Sequence, residues 1–214
     1  KVVLAGSSAE ARDRIGDGVR VIDLGGRFAM PGFNDAHAHL GHAALQAVTL
    51  DLNDAGSLAE LQERLADYAA DVPAGEWIYG RGWDESLWLV SKVPTAEDLD
   101  EITDQHPVLL ERADGHSAVA NNLALDRAGI DASTPGPDGG VIVRDADGVA
   151  TGWLKSAAQL MAEELIPAPS ADRLRSGLDI VFEDALANGV TSVQDDSLRV
   201  GAHGRTTVAM LEEM

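Results

Sequence analysis

The stretch Ala29-Met30-Pro31-Gly32-Phe33-Asn34-Asp35-Ala36-His37-Ala38-His39-Leu40 decides how the rest of this sequence is read. It opens apolar, turns at Pro-Gly, and delivers two histidines one residue apart. Alternate side chains of a β-strand share a face, so a strand here points His37 and His39 the same way. Two neutral imidazoles on one side of a rigid strand form half of a metal site, suited to zinc and less selectively to manganese or iron. A bare His-x-His is common by chance, and two hydrogen-bonded core histidines would read identically.

Working outward, the preceding residues suggest short β elements joined by turns. They are Lys1–Gly6, then Val19-Arg20-Val21-Ile22-Asp23-Leu24 closed by Gly25-Gly26. Downstream, strands alternate with helices. Ser57 opens a capping box with Glu60 before the stripe Leu58, Leu61, Leu65 and Tyr68. Trp77–Gly80 and Pro107–Arg112 read as strands, and Thr95 starts a short acidic helix with Leu99 and Ile102 inward. A helix is expected over Ala118–Ala128, stopped by Gly129. Gly139–Leu154 reads as a hairpin turning at Asp147-Gly148, followed by a helix over Lys155–Leu165. Ser170 caps the last long helix, with stripe Leu174, Leu178, Val181, Phe182, Ala185 and Leu186. Asn188-Gly189 closes it before the strand Val190–Asp195, and Thr206–Met214 is expected to be helical. The alternation predicts an α/β protein with a mostly parallel sheet, behind a separate small β unit.

Composition narrows the classes. The 214 residues contain no cysteine, which excludes disulfides and thiolate ligands or nucleophiles, and fits a cytoplasmic location. There is no apolar run of 18 residues, and the first residues do not read as a signal peptide, so a soluble protein is expected. The net charge of −20 argues against nucleic acid and anionic membranes as partners. Lysine occurs only at Lys1, Lys92 and Lys155, a lysine-poor, acidic balance like that of proteins from salt-loving organisms. A simply very soluble surface gives the same balance, with runs such as Asp98–Glu101 as solvated faces.

Val21-Ile22-Asp23-Leu24-Gly25-Gly26-Arg27 running into Pro31–Leu40 resembles the entry to the amidohydrolase superfamily. Gly82-Trp83-Asp84, Asp114-Gly115-His116-Ser117, Gly139–Ile142, Thr151-Gly152 and Gly189–Val193 are similar to its family 3 group, which includes N-substituted formamide deformylases. The resemblance implies a partial TIM-type (β/α)8 metallo-hydrolase barrel with a large insert after its first strand, preceded by part of a small β-sandwich. On that reading residues 1–30 belong to the sandwich. Residues 31–50 hold the first barrel strand and following loop, 51–188 the insert, and 189–214 the second barrel strand and helix. The family's remaining ligands, a carboxylated lysine or glutamate and two histidines, and its general-base aspartate come from later strands, so the resemblance puts them beyond Met214. The chain then reads as an N-terminal fragment holding half a metal site. Its open barrel edges predict either further chain or pairing with a second copy, a homo-oligomer.

The same resemblance implies zinc or another divalent metal, one or two ions, held in part by His37 and His39. Asp35 would orient a ligand or serve as a strand-end turn. His116, Asp84 and Trp83 are the expected substrate contacts. Against this stand a helix-start role for His116 and core packing for Trp83 and its neighbour Trp88. Lys155 invites reading as a carboxylated, metal-bridging lysine, but it precedes the Gly-Val-Thr strand rather than following it, so a surface helix-start lysine is expected. His42 reads as a surface or pocket histidine, His106 as a loop residue, and His203 has no assigned role. The implied reaction is hydrolysis of a non-peptide C–N bond by metal-activated water. Ester or lactone cleavage, deamination, and a non-catalytic regulatory relative are the rivals.

Overall fold

The computed structural model describes residues 2–14, 16 and 18–196, so His203 and the helix expected over Thr206–Met214 lie outside the described residues. Contacts divide the chain into two units, Lys1–Gly32 and Phe33–Met214.

In the first unit the one regular element among the described residues is α1 (Ser8–Arg12). Ser7 caps it, its hydroxyl accepting from Glu10 N while the Glu10 carboxylate accepts from Ser7 N at 2.7 Å. Residues 19–24 are exposed and join no ladder, so the strands expected here are absent among the described residues. A strand exists through its partner's hydrogen bonds, and alternation alone does not supply one. The Asp23–Arg27 run forms a turn: Arg27 N donates to Leu24 O at 3.1 Å, and Gly25 and Gly26 both take positive φ.

The second unit begins with β1 (Phe33–Ala38) and α2 (Leu40–Ala47). Next come β2 (Leu50–Asp51), α3 (Leu58–Ala70), β3 (Ile78–Trp83), a single 3-10 turn at Glu85–Leu87, α4 (Ala96–Asp100) and β4 (Val108–Arg112). β5 (Ser117–Ala120), α5 (Asn122–Arg127), β6 (Gly140–Arg144), β7 (Ala150–Ser156), α6 (Ala157–Glu163), α7 (Ala171–Ala187) and β8 (Val190–Asp195) complete the described order. Ser57, Thr95 and Ser170 cap α3, α4 and α7 as expected, each accepting from the backbone N–H three residues on. At α3 the capping box is shifted by one, because Glu60 accepts from Gly56 N rather than from Ser57 N.

β1 and β8 form a two-stranded parallel sheet, while the other strands form a mixed sheet of order β2-β3-β4-β5-β7-β6. Neither sheet closes on itself. The two ladders β2–β3 and β3–β4 are parallel; the other three in the large sheet are antiparallel, so the sheet is not mostly parallel. The departure arises at Ser117–Ala120. Its small residues favour a helix by propensity, but Asp114-Gly115 turns the chain back on β4 and all four residues are buried in mid-sheet. The helix starts only at Asn122. Its cap, fully buried Asn121, also accepts from Val108 N and donates to His106 O.

Both faces of the large sheet are covered. On β4, Val108 and Leu110 enter a cluster with Leu61, Leu65, Ile78, Trp83 and Leu99, whereas Leu109 faces Leu125, Ile142 and Leu154. A third cluster joins α2 to α7 through Leu40, Ala44, Leu174 and Leu178, with Val181, Phe182 and Val193 against it. α7 thus packs on α2 and β8, and its Arg173 also donates to the Tyr68 hydroxyl of α3. Gly177 permits the close crossing, since a Cβ there would stand 2.0 Å from Ala44 O. Asn188 ends α7 and Gly189, at φ 79°, turns the chain into β8.

Candidate metal centre and adjoining hollows

Parallel pairing of β1 and β8 places their C-terminal ends side by side, the end where open α/β sheets gather ligands. β1 ends at Ala38, so His39 is the residue before α2 rather than a strand residue, but its extended φ of −122° keeps it on His37's side. The two Nε2 atoms lie 3.1 Å apart and the rings meet edge-on, centroids 4.9 Å apart. Two nitrogens on one tetrahedral ion at about 2.1 Å stand roughly 3.4 Å apart, so this pair suits a single shared cation. Asp196, the residue after β8, brings a carboxylate: one ligand atom from each of His37, His39 and Asp196 lies within 4.8 Å of the others.

Backbone bonds hold this arrangement. Asp196 N donates to Ala38 O at 2.8 Å, and Leu40 N donates to the Asp195 carboxylate at 3.0 Å, so adjacent acids tie β8 to both sides of His39. Asp35 accepts from His37 N at 3.0 Å and braces the histidine's backbone. The His42 ring lies stacked 6.0 Å from that of His39, exposed on α2. Asp196 escaped the sequence reading. Its signal was available as an acidic pair, Asp195-Asp196, at the end of the strand expected beside the histidines.

The expected substrate contacts separate. Trp83 is wholly buried on β3, its indole N–H donating to Leu110 O at 2.9 Å, and Trp88 is likewise core, donating to Ala55 O at 2.6 Å. Trp83 is core because β3 runs three residues further than its expected Gly80 end, whereas Trp88 follows the 3-10 turn. Asp84 caps the 3-10 turn and lines a hollow of about 250 Å³ with Asp54, Ala55, Gly56, Gly82 and Leu87. His116 lines a different hollow of about 300 Å³ with Glu85, Arg112, Asp114, Ser117, Trp153, Lys155 and Ser156.

Arg112 connects the walls of the two. It donates to Asp84 at 2.7 Å, to Glu85 at 2.8 Å and to Asp114 at 2.5 Å. The hydrogen bond to Glu85 chiefly raises the guanidinium's pKa. Asp84 is held below the usual carboxylate range, first by the Ser86 hydroxyl. Burial pushes Asp114 up, but the His116 N–H and Arg112 outweigh it and lower its pKa. Lys155 is not at a helix start: β7 continues to Ser156, and the ammonium sits 3.6 Å over the Trp153 ring. His106, in its loop as expected, is buried with Nδ1 3.2 Å from Glu76 O.

Paired imidazoles beside a carboxylate, on neighbouring parallel strand ends of a mixed α/β fold, define a class of divalent-metal proteins, and comparison places the chain within it. The chain belongs to the amidohydrolase family, whose pattern matches residues 20–214. Over 195 residues it is 36% identical to Protein LONG AFTER FAR-RED 3 of Arabidopsis thaliana, covering 91% of this chain and 33% of that protein. It is 33% identical over 201 residues to the N-substituted formamide deformylase of Arthrobacter pascens, covering 91% of this chain and 37% of the relative. An uncharacterized metal-dependent hydrolase from Pyrococcus furiosus superposes with a TM-score of 0.68 at 30% identity, over 98% of this chain and 41% of that one. The chain thus spans about a third of the length of the curated relatives it matches.

Proposed function

We propose that this chain carries the metal-holding part of a hydrolase that cleaves non-peptide C–N bonds, amide or formamide-like, in a small molecule. The observation that carries the reading is the convergence of His37, His39 and Asp196 at adjacent strand ends. Two imidazoles and a carboxylate suit zinc, and the 3.1 Å separation of the Nε2 atoms fits one ion. When bound, such a metal lowers the pKa of a coordinated water and polarises a carbonyl. The chain's own residues position it. His37 and His39 present Nε2, Asp35 accepts from the His37 backbone, and Asp195 anchors the backbone of Leu40 next to His39.

The nature of the cleaved bond is supported by the formamide deformylase relative and by the family 3 motifs. In the resemblance the general-base aspartate comes from a later barrel strand. Within this reading the protein is a cytoplasmic enzyme and the fold is part of a (β/α)8 barrel, with β1 and β8 as its first two strands.

Metal analysis of the full-length protein, with assay on an amide, a formamide, an ester and a lactone, tests this. Near-stoichiometric zinc and C–N hydrolysis are expected. His37→Ala should lower metal affinity by more than the roughly 10- to 100-fold that loss of a supporting contact costs, and Asp196→Asn should weaken it too. Sub-stoichiometric metal that is unchanged in His37→Ala overturns the reading.

A further inference from the structure

The hollow of about 300 Å³ at the β4–β5 turn has a wall chemistry that the metal centre does not explain. Its acceptors are already engaged. Both Glu85 carboxylate oxygens and one of Asp114 accept from Arg112, and the other Asp114 oxygen accepts from His116 N at 2.8 Å. The side chains with hydrogen-bonding capacity left over are all able to donate. Lys155 makes no ion pair among the described residues and rests on the Trp153 face, whereas Lys92 is bound to Asp98. The Ser117 and Ser156 hydroxyls and the His116 ring make no hydrogen bond among the described residues, and the buried Trp153 indole N–H has no acceptor.

These groups are brought together by the sheet. Ser117 pairs with Lys155 across β5 and β7, and Ser156 N donates to His116 O at 2.7 Å, so His116–Ser117 and Lys155–Ser156 form one edge of the hollow. Ser156 adopts φ 51° and ψ −125°, one of two non-glycine residues with positive φ among the described residues. Such backbone strain persists where the surroundings enforce it, and it gathers at ligand sites.

We propose that this hollow binds a carboxylate, with the Lys155 ammonium supplying the charge and His116 and Ser156 supplying hydrogen bonds. The lining carries two cations, Arg112 and Lys155, against two carboxylates, Glu85 and Asp114, and Arg112 also binds Asp84. A bound carboxylate is therefore held by the charge-assisted hydrogen bond of Lys155 and the neutral donors beside it rather than by a net positive field. The carboxylate belongs either to the hydrolysed molecule itself or to a separate small acid. The site stands independently of the metal reading.

Site-resolved amide NMR of the full protein, titrated with acetate, tests the proposal. Saturable shifts are expected at His116, Lys155 and Ser156. Lys155→Met should weaken binding by about tenfold and Lys155→Arg should largely keep it, the loss of one charge-assisted hydrogen bond. An unchanged thermal midpoint checks that both variants fold. Shifts confined to residues around His37 and His39 would show acetate on a metal only and overturn the proposal, as would equal affinity in Lys155→Met. Titration with N-formylglycine then separates the two sources. Shifts at both the histidine pair and the hollow assign the carboxylate to the substrate, and shifts in the hollow alone assign it to a separate acid.

Discussion

Single residues in this chain take their roles from what their backbone neighbours bind. Asp98 shows this outside the candidate centre. It is the third residue of α4, nearly buried, and accepts from Thr95 N, Thr95 Oγ1 and the Lys92 ammonium at 2.7–2.9 Å. Burial alone would raise its pKa, but Lys92 and Thr95 more than offset that and hold it below the usual carboxylate range. A carboxyl depressed on folding contributes stability above its unfolded pKa of about 3.9, and that stability is lost as pH falls through the lower folded value. Asp98→Asn is therefore expected to cost about 1 kcal/mol at neutral pH. It should also flatten the acid limb of a plot of stability against pH, measured by chemical denaturation.

Elements differ in how firmly they are held. The α2–α7 crossing depends on the missing side chain at Gly177. Gly177→Ala gains about 1 kcal/mol in helix propensity but drives a methyl against the Ala44 carbonyl. Overpacking against backbone costs about 1–3 kcal/mol, so a lower thermal midpoint is expected, with the far-UV circular dichroism of a folded protein. The two sheets should differ in the opposite sense to their place in the proposed chemistry. β1 and β8 make a two-stranded sheet in which Phe33 is 56% exposed, whereas β4 and β5 lie mid-sheet with both faces covered. Two strands alone are marginal, so in a protein of residues 1–214 the amides of β1 should exchange with solvent markedly faster than those of β4 in native-state hydrogen exchange. Equal protection would mean that the small sheet has a covering the described residues do not supply.

For the molecule as a whole, charge is the governing quantity. A net charge of −20 on 214 residues repels itself, and raising the salt from 0.1 M to 1 M shortens the screening length from about 10 Å to about 3 Å. A thermal midpoint that rises over this range is expected, and one that does not move would remove the salt-adapted reading. Much of the architecture at this scale was legible in order along the chain. The caps at Ser57, Thr95 and Ser170 and the hairpin across Asp147-Gly148 rest on interactions between near neighbours in the chain, and each is found. The strand at Val190–Asp195 is also found, although its ladder partner is distant in sequence. Ser117–Ala120 and Lys155 were misplaced because their state is set by strands distant in sequence. Trp83 is core for the same reason.

By itself the sequence determined the His-x-His pair, the turns and caps around it, and the family those motifs mark, because local backbone preferences and residue identity suffice for each. Only the tertiary structure decided that Asp196 meets the two histidines, that Trp83 leaves the expected contacts for the core, and that Lys155 faces His116 across a hollow. Those outcomes depend on the parallel pairing of β1 with β8, some 150 residues apart, and on the order of strands in the large sheet. Ladder hydrogen bonds and burial on two faces fix both, and neither leaves a local trace in the chain.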